Sequence, residues 1–200
     1  MTAVAPSAPD SDRLALARLL LVRAFRFGAF TLSSGAPSPY YFDGRQVTLS
    51  AIGSRLVGAA VLRLARGDRV TAIGGPTIGA DPIATAVALS SGLDGAEPID
   101  AFLVRPAAKA YGLGGMIAGP ALSPAQRVAI VDDALTTGRS LLAAAGRVRE
   151  TGATIVAAYV LVDREEGGAD ALAAAGLVVR SVFRRSQLLD PEGRPRPDPR

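Results

Sequence analysis

Apolar positions recur along the chain in two alternating rhythms. Leu14, Leu16, Leu19, Leu20 and Phe25 give one apolar face to a helix over about residues 13–27, with Asp10, Ser11 and Asp12 as candidate caps. Helical periodicity returns near 50–66, 82–91, 141–150 and 168–175. Between these stretches, short apolar runs at 69–74, 101–104, 128–131, 153–162 and 177–183 read as buried strands. Strands alternating with helices predict an α/β fold, with a central parallel sheet flanked by helices. In such sheets ligands sit outside the carboxyl ends of the strands. Residues 1–9, rich in Ala and Pro, read as a disordered leader, 10–192 as a single domain, and the Pro/Arg-rich 193–200 as a frayed tail.

Composition narrows the class. Two hundred residues, 49% hydrophobic, suffice for one domain with a sizeable core. Cysteine is absent, so neither a disulfide framework nor thiolate chemistry is available, and a reducing cytoplasm is expected. The longest uncharged apolar run, 153–162, is too short to span a bilayer, and the first nine residues lack the pattern of a signal peptide. The net charge is only +4 and the arginines are scattered rather than interleaved with aromatics, which argues against a nucleic-acid partner. Histidine is absent, so acid–base chemistry falls to carboxylates, Lys, Tyr or the substrate. Of 22 basic residues all but Lys109 are arginine, which singles out that compact ammonium.

The richest segment is Val128-Ala-Ile-Val-Asp-Asp-Ala-Leu-Thr-Thr-Gly-Arg-Ser140. The apolar run is expected to stop at Asp132 and Asp133, leaving two carboxylates at a strand's carboxyl end. Ala134, Leu135, Thr136, Thr137, Gly138, Arg139 and Ser140 then form a small, hydroxyl-rich turn before a helix. Free amides and the helix dipole there favour a phosphate. Acids beside an anion cradle suit a ribose phosphate, whose hydroxyls a carboxylate can accept. Paired acids could also be a solvated turn before a capped helix. A receiver domain, which also ends a strand in paired acids, would need more strands downstream than this chain supplies.

A second glycine-rich turn, Gly74-Gly-Pro-Thr-Ile-Gly-Ala-Asp-Pro82, follows a strand and opens a helix. Its Gly75, Pro76, Thr77, Ile78 and Gly79 could meet a second anionic group. Arg105 and Lys109 begin a stretch carrying Gly112, Gly114, Gly115 and Gly119, as expected of a mobile cationic loop that closes over a leaving group. Phe30-Thr-Leu-Ser-Ser-Gly and Pro39-Tyr-Tyr-Phe-Asp-Gly44 bring aromatics that either pack a turn or stack on a planar ring. Arg164, after the 153–162 strand, can fork onto a carboxylate or simply be salt-bridged.

Together these segments, from about Phe27 to Phe183, resemble the orotate phosphoribosyltransferases, a branch of the type I phosphoribosyltransferase family whose signature for phosphoribosyl pyrophosphate (PRPP) the 128–140 string matches. The resemblance implies transfer of ribose 5-phosphate from PRPP to orotate. It implies that Asp132 and Asp133 hold the ribose hydroxyls, that 134–140 bind the 5-phosphate, and that 75–79 meet the pyrophosphate. Ser33, Tyr41, Phe42, Thr136 and Arg164 would face orotate, with Arg105, Lys109 and Tyr111 on the PRPP side. Further implications are a small N-terminal hood region beside the sheet, Mg²⁺ carried mainly by PRPP without a direct protein ligand, and a homodimer whose catalytic loop reaches the neighbouring site. The family's loop usually reads Arg-Lys-x-x-Lys-x-His-Gly, whereas this chain has Pro106 for one lysine and Tyr111 for the histidine. Alternative readings are a phosphoribosyltransferase for another base, and a PRPP sensor without turnover.

Overall fold

The computed structural model describes residues 10–31, 37–107, 115–197 and 199. In chain order the elements are α1 (Asp10–Arg23), β1 (Phe25–Thr31), β2 (Pro37–Phe42), α2 (Arg45–Thr48), α3 (Ala51–Gly67), β3 (Ala72–Pro76), α4 (Ala80–Leu93) and β4 (Asp100–Val104). There follow β5 (Ile117–Ala118), β6 (Arg127–Leu135), α5 (Arg139–Arg149), β7 (Thr154–Asp163), α6 (Gly168–Ala174), β8 (Val179–Arg184) and α7 (Arg185–Leu188).

The main sheet runs β5-β4-β3-β6-β7-β8, parallel except for the short antiparallel edge β5. Its strands are apolar on both faces because each face is covered. One core layer gathers Leu16, Leu20, Val57, Val61, Ile83 and Tyr159 beneath α1, α3 and α4; the other gathers Phe102, Ile130, Leu141, Val148 and Leu172 beneath α5 and α6. Burying such side chains is worth about 1.5–3 kcal/mol each, and the two layers together hold the sheet whose loops carry the site.

The helix expected over 13–27 ends at Arg23, and Phe25 opens β1 instead. Cross-strand packing overrides the helical period: the Phe25 ring lies 5.4 Å from Tyr40 and 4.8 Å from Phe42 of the antiparallel β2. This hairpin forms the hood. The tail expected to fray from Gly193 is bonded back over its first residues, where Arg196 Nε donates to Ser186 O at 2.8 Å and Leu189 O at 3.1 Å.

Candidate functional site

The strand β6 does not stop at its acids. It continues to Leu135, in register with β7 through Leu135 and Asp163, because the partner strand extends as far and Leu135 is itself core. Asp132 and Asp133 therefore sit within the last residues of the strand, and their carboxylates come together: they share a side-chain hydrogen bond, and both turn an oxygen toward Gly79. Asp133 faces the hood, where Arg45 attracts its charge and Asp43 repels it, while Asp132 feels Asp81 at the start of α4. Burial first, and the charge of Asp133 second, push the Asp132 carboxyl up to about 8; burial raises Asp133 as well. Burial thus favours a proton on the pair, and a bound group that donates hydrogen bonds or brings a cation reverses that preference.

Beyond the acids the chain turns at Gly138, whose φ of +78° only glycine adopts without strain, and α5 starts at Arg139, two residues earlier than the apolar pattern suggested. Space is short there as well: a Cβ on Gly138 would stand 3.2 Å from Gly168 O. Among the described residues no acceptor takes the amide N–H of Thr136, Thr137 or Gly138. A phosphate-sized cradle of unpaired donors at a helix start is what remains. Leu135 contributes only backbone, since its side chain is buried and its carbonyl accepts from Arg164 N at 2.9 Å.

Facing the acids is the turn after β3. Its strand runs to Pro76 rather than to Gly74, so Gly75 is a buried strand residue and not part of the cleft wall, contrary to the sequence expectation. Gly74 and Gly75 are small for a different reason: a Cβ on the first would collide with Phe102 O, and on the second with Val131 O. Close strand packing brings the turn over the acids. Pro76, Thr77, Ile78 and Gly79 line the cleft, the Thr77–Ile78 peptide is cis, and a Cβ on Gly79 would run into Asp132 Oδ1 and stand 2.6 Å from Asp133 Oδ1.

Phe42, Asp43 and Arg45 close the cleft from the hood, with Asp132, Asp133, Ala134 and Ser140 as its floor, enclosing about 240 Å³. Asp43 and Arg45 did not stand out in the sequence. They pair at 2.7 Å, and that hydrogen bond holds the Asp43 carboxyl below its ordinary range. Tyr41 and Phe42 were expected to flank one ring, but the β pleat sends them to opposite faces: Phe42 is buried against the cleft, while Tyr41 is exposed with its ring 6.0 Å from Phe30. Instead Tyr40 lies beneath Arg164, whose guanidinium carbon is 5.4 Å from the ring centroid. Arg164 pairs with Glu166 at 2.8 Å, yet its buried Nε has no partner among the described residues, a donor left over for a ligand.

Thr136 and Thr137 stand at the turn's rim, part-buried and exposed respectively, and Arg139 and Ser140 are exposed. Arg105 anchors the cationic loop, its N–H donating to Met116 O at 2.7 Å. Ser33, Lys109 and Tyr111 lie outside the described residues.

Comparison with known proteins is consistent with this geometry. A model of the phosphoribosyl transferase domain matches residues 104–176. The orotate phosphoribosyltransferase of Aquifex aeolicus is 40% identical over 181 residues, 89% of this chain and 98% of that protein. The one from Thermosynechococcus vestitus is 43% identical over 176 residues, 88% of this chain and 92% of that protein. A crystal structure of Mycobacterium tuberculosis orotate phosphoribosyltransferase in complex with PRPP superimposes with a TM-score of 0.73 at 38% identity, covering 86% of this chain and 96% of that one.

Proposed function

The chain belongs to the orotate phosphoribosyltransferase family, and on that premise we propose that its cleft transfers ribose 5-phosphate from PRPP to N1 of orotate. The products are orotidine 5-phosphate and pyrophosphate, on the route to UMP in pyrimidine biosynthesis. The observation that carries this reading is the juxtaposition of two protonation-prone acids, Asp132 and Asp133, with the unpaired amides of 136–138. Few other ligands need a polyol acceptor and a phosphate cradle one turn apart.

The 5-phosphate takes the amides of 136–140 and the Ser140 hydroxyl, and the ribose hydroxyls donate to Asp132 and Asp133. The pyrophosphate lies along Pro76–Gly79, where Gly79 leaves room for it beside the acids. Orotate enters against Phe42, and its carboxylate meets the free Nε of Arg164. The bond from C1′ to the pyrophosphate oxygen breaks with its electron pair leaving on the pyrophosphate, and N1 of orotate forms the new bond to C1′ while its proton passes to the departing pyrophosphate. Positive charge gathers on the ribose in between, next to the two acids. Arg105 and Lys109 would stabilise the charge that develops on the leaving group.

The donor set fits Mg²⁺: two partly buried carboxylates share a site without an ion-pair partner of their own among the described residues. When bound through PRPP, Mg²⁺ would neutralise the departing pyrophosphate. Asp132 and Asp133 would hold it indirectly, through the same hydroxyls. A homodimer with shared sites is supported by the large apolar side chains left exposed around α3 and α4, namely Leu49, Ile52, Leu89 and Leu93. Work in the cytoplasm is supported by the absence of cysteine, and no helix among the described residues is long and apolar enough to cross a membrane.

The test mixes purified protein, PRPP and Mg²⁺ with a panel of bases and follows loss of orotate absorbance. Turnover with orotate alone is expected. Turnover with a purine instead would move the acceptor assignment, and PRPP binding without any turnover would make the protein a sensor.

A further inference from the structure

Arg164 is held from both sides by one continuous support, and the residue that ties it in is Glu165. The Glu165 backbone sits at φ +60°, a left-handed conformation that a residue with a side chain adopts only when its surroundings impose it. Its N–H donates to Asp163 Oδ1 at 2.8 Å. Its carboxylate then grips the start of α7: Oε2 accepts from Ser186 N at 2.8 Å and Oε1 from Ser186 Oγ at 2.9 Å, with Arg185 Nε 3.7 Å away.

The far side of α7 is fixed as well. Arg196 donates to the carbonyls of Ser186 and Leu189, and Arg194 bonds to Asp190, closing a turn at the end of the described chain. That turn presents Gly193, at φ +80°, to the hood: a Cβ there would stand 2.8 Å from Pro39 Cγ and 3.4 Å from Tyr40 Cδ1. The loop that carries Arg164 and the ring beneath its guanidinium therefore rest on the same short helix and turn. Glu165, Ser186, Gly193, Arg194 and Arg196 do not line the cleft and touch none of the reacting groups.

We propose that Glu165 is a positioning residue for the acceptor base: by clamping Ser186 it holds the left-handed turn that aims Arg164 over Tyr40 with its Nε free. This rests on the reading of Arg164 as the fork for the acceptor's carboxylate. A strained, clamped turn presents the guanidinium preorganised, so the acceptor does not have to order it on binding.

The experiment measures kcat, KM for orotate and KM for PRPP, with melting temperature, for Arg164→Ala, Glu165→Ala, Glu165→Gln, Glu165→Gly and Ser186→Ala. Glu165→Ala is expected to raise the orotate KM about fivefold, the scale of one net hydrogen bond, with the PRPP KM and saturating kcat unchanged. Glu165→Gln should recover part of that loss, because its amide oxygen still accepts one Ser186 bond. Glu165→Gly relieves the backbone strain but breaks the clamp, so it should behave like Ala. Wild-type kinetics for Glu165→Gly would overturn the clamp. Loss of both KM values together with a lower melting temperature in Glu165→Ala would overturn it too, as a merely structural role. If Arg164→Ala raises the orotate KM and Glu165→Ala does not, positioning fails while the acceptor assignment stands; if Arg164→Ala has no effect, the acceptor assignment itself is wrong.

Discussion

Gly44 backs directly onto Asp133: a Cβ on the glycine would stand 2.7 Å from the Asp133 Oδ2 and 2.9 Å from its Cβ. The hood thereby fixes how far the second acid can swing. Gly44 itself is helical, at φ −60°, so alanine meets no backbone strain and acts purely by crowding. Gly44→Ala should cost about 1–3 kcal/mol of stability, as overpacking does, and weaken PRPP binding by displacing Asp133. Calorimetric titration with PRPP checks the second effect; unchanged affinity would mean that Asp133 does not hold the ribose.

The substrate-free protein should lose stability as pH rises. Folded Asp132 holds its proton up to about 8, against 3.8 for the ordinary carboxyl. Between those values the folded state binds more protons than the unfolded state, so unfolding becomes easier as pH climbs through that window. Asp132→Asn removes the penalty. It should melt higher than the parent at about pH 8.5, by about 1 kcal/mol or more, with the gap shrinking toward pH 4, while transfer activity is lost. A gap independent of pH would show that burial and Asp133 do not hold the proton there.

Lys109→Ala should lower kcat about a hundredfold or more under saturating substrate, the scale of one preorganised transition-state donor. Full activity would remove the 105–120 loop from catalysis. Near-complete rescue by Lys109→Arg would show that a compact ammonium is not what the loop needs, whatever the rarity of lysine in this chain.

At the opposite edge of the sheet, Tyr159 is buried with its hydroxyl donating to Asp68 Oδ2 at 2.8 Å, and Arg180 grips both oxygens of the same carboxylate at 2.7 Å. Tyr159→Phe should cost about 1–2 kcal/mol in chemical denaturation and leave kcat and both KM values unchanged. A kinetic effect would reveal coupling between the two edges.

The acids, the phosphate turn and the parallel sheet were legible because each is local: a buried strand, a polar break and a helix start lie within thirteen consecutive residues. What stayed hidden depends on partners far along the chain. Phe25 and Phe27 continue the apolar rhythm of α1, and only Tyr40 and Phe42 turn them into a strand. Gly74 and Gly75 looked like phosphate glycines, yet the atoms that forbid a side chain there belong to Phe102 and Val131 in the neighbouring strands. The clamp between Glu165 and Ser186 spans 21 residues and has no periodic signature. Tyr40 rather than Tyr41 lies under Arg164 because a pleat of period two assigns alternate residues to alternate faces, and the aromatic pair alone does not say which face is which.

The edge strand β5 also acts as a clasp. By pairing Val104 with Ile117 and taking the Arg105 N–H on Met116, it pins the root of the cationic loop. Arg105 and Met116 are thereby held side by side, so the segment between them leaves and rejoins the sheet at one point, and a change at either root residue alters both ends of that segment at once.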